Sequence, residues 1–155
     1  MAIATALPDP RVVLPDDLPW ATWMEGLQVK MLRCDLDNNE YTLLVRFAPG
    51  IELPRHRHFG QIHAHTIQGR WHYLEYDWVA EAGSYVHEPA SSVHTLKVFD
   101  DNTDETVVLF VMQGGLVLLG PNDELWMYED AESAMERYLL ALEQEGKTLP
   151  NGLVL

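Results

Sequence analysis

RHRHFGQIHAH, residues 55–65, holds four of the chain's seven histidines within ten positions. His56 and His58 are two apart, and so are His63 and His65. On a β-strand a two-residue step puts both side chains on one face, a few ångströms from each other. Neutral imidazole is a ligand for Zn, Fe, Cu and Ni, and three rings on stiff strands make a facial set around one ion. Two rings from one strand and a third from a distant strand can hold a metal inside a barrel. His94, which follows Pro89 and the small residues Ala90, Ser91 and Ser92, is available as the third. An isolated H-x-H is equally compatible with ordinary core or surface histidines, so the reading depends on the elements around it.

Those elements read as strands. Short β-type runs at 28–32, 41–47, 62–68, 71–76, 84–87, 95–99 and 106–113 are cut by turn residues. A last pair, 116–119 and 125–128, flanks GPND, a strong turn signal. Their close spacing, with no helical period between them, predicts an antiparallel sandwich or barrel over about 27–128. Pro8, Pro10, Pro15 and Pro19 predict an extended N-terminal arm that wraps the domain. In EDAESAMERYLLALEQEGK, Ala131, Met135, Tyr138, Leu139 and Leu142 recur at three- and four-residue steps. They predict one helix over about 130–145, with Asp130 as N-cap and Gly146 just past its end. Such a helix covers a mouth or flank of the barrel, or a partner subunit.

At 155 residues and 47% hydrophobic, the chain is one globular domain, 1–155. A net charge of −14 argues against nucleic acid and against an anionic membrane surface. The acid is concentrated away from the histidines: residues 100–155 carry 12 acidic and 2 basic side chains, against 12 and 8 in residues 1–99. Cys34 is the only cysteine, which excludes an internal disulfide and leaves a small core residue. The start does not read as a signal peptide, and no apolar run approaches the ~18 residues of a membrane span. The expectation is a soluble, cytoplasmic protein.

The order of glycines, histidines and prolines resembles the cupin family. Gly50, His56, His58 and Gly69 match its first motif, and Gly83, Pro89 and His94 its second. Ser91 stands where the second motif has glycine, and Val98 where it has asparagine. The first motif's usual glutamate is missing. Counted from His58 its place is His63; counted back from Gly69 it is Ile62. These two lie on opposite faces of a strand. Over residues 56–96, HRHFGQIHAHTIQGRWHYLEYDWVAEAGSYVHEPASSVHTL further resembles the subgroup of 2,4′-dihydroxyacetophenone dioxygenase.

The resemblance implies a single all-β cupin barrel, a double-stranded β-helix or jelly roll, with a three-histidine metal site of His56, His58 and His94. It implies iron(II), although zinc or nickel would accept the same rings. Three neutral imidazoles leave the ion's +2 charge uncompensated, which favours a chelating enolate and its reaction with O2. The implied reaction cleaves the C–C bond of an aryl hydroxymethyl ketone to an aryl carboxylate and formate. Glu88 is the candidate acceptor for a second ring nitrogen of a ligand histidine. His63 is read as a proton-handling neighbour, with a fourth ligand and a barrel residue as the alternatives. His65, His72 and His87 are read as structural, and Arg55 and Arg57 as facing away from the ligands. Trp71, Tyr73, Tyr76, Trp78 and Tyr85 supply core, dimer packing and an aromatic pocket. The partners implied are an enolisable ketone, O2 and a second copy of the chain in a homodimer. Two alternatives stand beside this: a β-diketone-cleaving dioxygenase, and a non-catalytic metal-binding sensor or regulatory module.

Overall fold

The structure is a computed structural model that describes residues 10–150. Thirteen strands and one helix follow in order: β1 (Ala21–Met24), β2 (Leu27–Asp35), β3 (Glu40–Phe47), β4 (His56–His58), β5 (Ile62–Gln68), β6 (Arg70–Tyr73), β7 (Ala80–Glu81), β8 (Tyr85–Glu88), β9 (Val93–His94), β10 (Leu96–Val98), β11 (Thr106–Gln113), β12 (Leu116–Leu119), β13 (Leu125–Glu129) and α1 (Ala131–Gln144). They form a six-stranded sheet, β1-β2-β3-β11-β5-β8, a four-stranded sheet, β13-β12-β4-β9, and a three-stranded sheet, β10-β6-β7. The result is the all-β cupin barrel with one C-terminal helix that the motifs imply.

Strict alternation makes the core. Tyr41, Leu43, Val45 and Phe47 of β3 point inward, as do Thr106, Val108, Phe110 and Met112 of β11. The register pairs Val45 with Val108 and Leu43 with Phe110, so the inward rows of the two strands coincide. Burying each large apolar side chain contributes roughly 1.5–3 kcal/mol. The sheets close around a shared interior in which Trp71 and Tyr73 are also buried.

Pro8 and the arm before residue 10 lie outside the described residues. The segment 10–20 carries no strand. It is tied down where it meets the barrel by buried Leu18 and by the Pro19 carbonyl, which accepts from the Tyr138 hydroxyl at 2.7 Å. The helix starts as expected at Asp130, in a capping box with Ser133, and ends in a Schellman motif. There Gly146, at φ +67°, donates to Glu143 O at 3.0 Å, and Lys147 N donates to Leu142 O at 2.8 Å. The buried face differs from the predicted one: Ala131, Ala134, Tyr138, Ala141 and Leu142 face inward, while Leu139 is exposed. Small alanines let the helix lie close to the barrel, and α1 packs on β1, β2 and β13 of its own chain. No helix among the described residues is long and apolar enough to cross a membrane.

Candidate metal centre

Strand β4 lies between β12 and β9, with His56 opposite both Leu118 and His94, and His58 opposite Leu116. Its burial alternates: His56 and His58 face the interior and Arg57 faces solvent. Short β9 adds His94 from the other side, 1% exposed. Ring centroids are 4.9 Å apart for His56 and His58, 4.8 Å for His56 and His94, and 5.2 Å for His58 and His94. One ligand nitrogen from each ring lies within 4.8 Å of the other two. The three histidines named from the sequence are brought together, and Arg55 and Arg57 stay outside, Arg55 paired with Asp123.

His56 Nδ1 donates to Pro54 O at 2.9 Å; a carbonyl only accepts, so Nδ1 holds the proton and Nε2 keeps its lone pair. Burial, with His58 and His94 alongside, lowers the His56 pKa to about 3. The ring is therefore neutral near pH 7, as a metal ligand must be.

Glu88 on β8 is 3% exposed and aims its carboxylate at the same place. Its Oε2 is 3.1 Å from His58 Nε2 and 3.2 Å from His94 Nε2. Oε2 and His94 Nε2 are nevertheless buried without a hydrogen-bond partner, because the approach is out of line for a hydrogen bond. Their separation fits two ligand atoms of one ion: with bonds of about 2.1 Å, ligands at right angles stand about 3.0 Å apart. Three imidazoles and a carboxylate thus suit a divalent transition metal. Burial alone would push the Glu88 carboxyl up, but His58 and His94 outweigh it and hold the group ionised. Oε1 accepts from the Tyr73 hydroxyl. Burial, reinforced by Glu88, raises the Tyr73 pKa well above its usual value, so the phenol remains a donor. Tyr73 also stacks on His94, 3.7 Å between centroids and 9° between planes. The acceptor expected of Glu88 is supplied at His56 by Pro54, and Glu88 instead meets the Nε2 atoms of two rings.

His63 is not at the centre. Strand β5 alternates with Ile62, Ala64 and Thr66 inward, which puts Ile62 in the place of the usual glutamate and His63 on the outer face. There His63 Nδ1 is 2.6 Å from the Tyr85 hydroxyl, and its ring is 5.4 Å from that of His87. This one-residue register places His63 away from the cluster, where neither a fourth ligand nor an adjoining proton-handling group would stand. His65 meets Ser84 O, His72 stacks on Phe99 and His87 meets Gln61.

A cavity of about 170 Å³ adjoins the cluster inside the barrel. His56, His58, Tyr73 and Glu88 line one part of it, and apolar residues such as Val45, Phe110 and Leu116 line much of the rest. An open cleft of about 460 Å³, with Tyr76, Trp78 and Tyr85 in its walls, reaches Glu88 and His94 from outside. Of the aromatics expected in a pocket, Tyr73 lines both spaces, whereas Trp71 is core, its indole donating to Thr66 Oγ1 at 2.8 Å. Trp23, Glu129 and Arg137 also line the cavity, and no motif or spacing in the sequence singles them out.

Residues 9–117 match the ChrR cupin-like domain family. The chain belongs to that family. Among curated proteins none matches it significantly. This cupin is similar in structure to an RmlC-like cupin protein from Ralstonia eutropha JMP134, at 30% identity and TM-score 0.85, over 92% of this chain and 93% of that one. It shares its fold with an acetylacetone dioxygenase from Acinetobacter johnsonii, at 16% identity and TM-score 0.77, over 91% and 98% of the two chains. It also shares it with the Rhodobacter sphaeroides complex of SigE with the anti-sigma ChrR, at 18% identity and TM-score 0.54, over 64% and 51%.

Proposed function

We propose that this cupin is a non-haem iron(II) dioxygenase that cleaves an aryl hydroxymethyl ketone of the 2,4′-dihydroxyacetophenone type. The observation that carries the reading is the largely apolar cavity beside the histidines and an ionised, buried Glu88. A metal held only for structure needs no such space. An engineered apolar cavity of about 150 Å³ admits benzene, so about 170 Å³ suits a molecule with one aromatic ring. The balanced reaction joins one ketone and one O2 to give one aryl carboxylic acid and one formic acid, with no further reductant.

His56, His58 and His94 would hold the iron, with Glu88 at the edge of the set. Bound there, iron would supply a Lewis acid for the ketone and a centre for dioxygen. Glu88, ionised beside the site, would accept the proton that the hydroxymethyl ketone loses on enolisation. His58 and His94, which lower its pKa, also make it a weak base, so the step would depend on chelation making that proton acidic. Tyr73 fixes Glu88 through Oε1 and packs flat on His94. With a substrate bound, the apolar wall would keep water out and strengthen these interactions. A β-diketone would meet the same groups and is the alternative substrate.

A second reading is favoured by the same Glu88. If Glu88 ligates permanently, the shell of three histidines and one carboxylate is closed, as in a zinc-holding regulatory module. Oxygen uptake decides between them. Protein reconstituted with iron(II) is offered aryl hydroxymethyl ketones and β-diketones, with His56→Ala as control. Substrate-dependent uptake matched by equimolar formate, and absent from the control, is the expected result. No uptake from iron-replete protein on any substrate would abandon the dioxygenase and leave the closed metal module.

A further inference from the structure

The outer face of the six-stranded sheet carries imidazoles that the metal centre does not use. His63 on β5 stands directly opposite His87 on β8, while the neighbouring pair, Ile62 and Glu88, faces the interior. Directly opposed side chains on antiparallel strands have Cβ atoms about 4.5–5.5 Å apart, which lets two rings reach one ion. The His63 and His87 ring centroids are 5.4 Å apart, with 30° between their planes. Pairs within the inner trio stand at 4.8, 4.9 and 5.2 Å. The outer pair thus has nearly the spacing of the candidate ligands.

Each ring also has a partner on one nitrogen only. His87 Nε2 lies 3.1 Å from Gln61 Oε1; an amide oxygen only accepts, so Nε2 holds the proton and Nδ1 keeps its lone pair. His63 Nδ1 lies 2.6 Å from the Tyr85 hydroxyl, and donating to that oxygen leaves Nε2 with its lone pair. A ligand histidine is usually held in this way, by a second group on its other nitrogen. Among the described residues β8 ends the six-stranded sheet, with β5 as its one strand neighbour. The open cleft of about 460 Å³ runs along the other edge of β8, where Tyr85 and His87 line it, and continues to Glu88 and His94. His87 and Glu88 are consecutive, their Cα atoms about 3.8 Å apart, one facing out and one in. An ion held at His87 therefore reaches the centre round the edge of β8, without crossing the sheet.

We infer that His63 and His87 form a second, exposed metal site, which captures a divalent transition-metal ion and passes it along the cleft to the centre. Two imidazoles with water in the remaining positions hold an ion loosely. Three imidazoles and a buried carboxylate hold it tightly, so transfer runs inward. The class of ion is one that imidazole takes, such as iron(II), cobalt(II), nickel(II) or zinc(II), and not calcium or magnesium, which prefer oxygen ligands. A net charge of −14 raises the concentration of such cations at the surface. The inference rests on the metal centre and is independent of the reaction proposed for it.

The test counts metal and times its entry. Metal-free protein is titrated calorimetrically with zinc(II), and wild type should take up two equivalents, one tight and one weaker. His63→Ala and His87→Ala should each lose the weaker equivalent and keep the tight one, whereas His56→Ala should weaken the tight one and keep the other. Thermal melts confirm that each variant is folded. Metal-free protein is then mixed rapidly with one equivalent of cobalt(II), whose visible absorption reports entry into the centre. His87→Ala should fill the centre about tenfold more slowly than wild type, the low end of what a local rise in ion concentration gives an on-rate, and reach the same final absorbance. A single zinc equivalent in wild type, a weaker equivalent that survives both outer substitutions, or an unchanged filling rate would overturn the inference. If both zinc equivalents and the slower filling are seen while iron-loaded protein consumes no oxygen, the capture site stands and the dioxygenase reading falls. If oxygen is consumed but wild type takes one zinc, the reverse holds.

Discussion

Glu88 and His63 are carboxylate and imidazole side chains only a few residues from the ligands, yet the barrel gives them opposite fates. Glu88 sits at an inward position, ionised by His58 and His94 and held by Tyr73. Replacing it with Gln keeps the shape and removes the charge. Glu88→Gln should therefore lower kcat about 10²–10⁴-fold, the usual contribution of a general base, with iron content measured alongside to separate ligation from proton transfer. His63 points out of the barrel to Tyr85, so His63→Ala should leave kcat within about twofold of wild type. The two-residue step of His56 and His58 and the ordered glycines around them made the ligand trio legible in the sequence. His63 was misplaced because the motif count is ambiguous by one residue, and one residue on a strand is a change of face. Trp23, Glu129 and Arg137 were not legible at all, because what joins them is a cavity wall drawn from two strands and a helix.

The long elements announced themselves and the short ones did not. Strands β3, β5 and β11, with seven or eight residues each, show alternation that a sequence can reveal. Strands β4, β7 and β9 have two or three, too few for a period, and two of these three carry the candidate metal ligands. They are positioned by the turns around them. Ser91 replaces the motif's glycine but keeps its backbone, at φ +71°, and Ser91 N donates to His58 O at 2.9 Å. Gly60 follows β4 so closely packed that a Cβ there would fall 1.9 Å from Gln113 O. Gly60→Ala must push backbone against backbone. It should destabilise the fold by about 1–3 kcal/mol in chemical denaturation and weaken metal binding, since the displaced segment carries His58.

Taken as a whole the molecule couples folding, protonation and metal binding through one buried cluster. Three imidazoles and a carboxylate converge in the buried interior, and in the absence of metal the neutral form of His56 is the one the fold accepts. Its pKa in the folded state is about 3, below the 6.5 of an exposed histidine, so the unfolded chain binds a proton that the folded one refuses. The stability this group supports is complete above pH 6.5 and declines as pH falls from 6.5 towards 3. The slope is at most about 1.4 kcal/mol per pH unit from this one proton. The lowered pKa of Glu88 acts in the same direction below its own ordinary range. Urea denaturation of metal-free protein between pH 7 and 5 should show that decline, and His56→Gln, which cannot titrate, should show a shallower one. Metal binds only the deprotonated rings, so saturating zinc at 100 times its Kd should add about 2.7 kcal/mol at pH 7 and less as the pH falls. A metal-free stability that is flat from pH 7 to 5 would mean that the cluster takes up protons freely, and that the barrel is open to water at its centre.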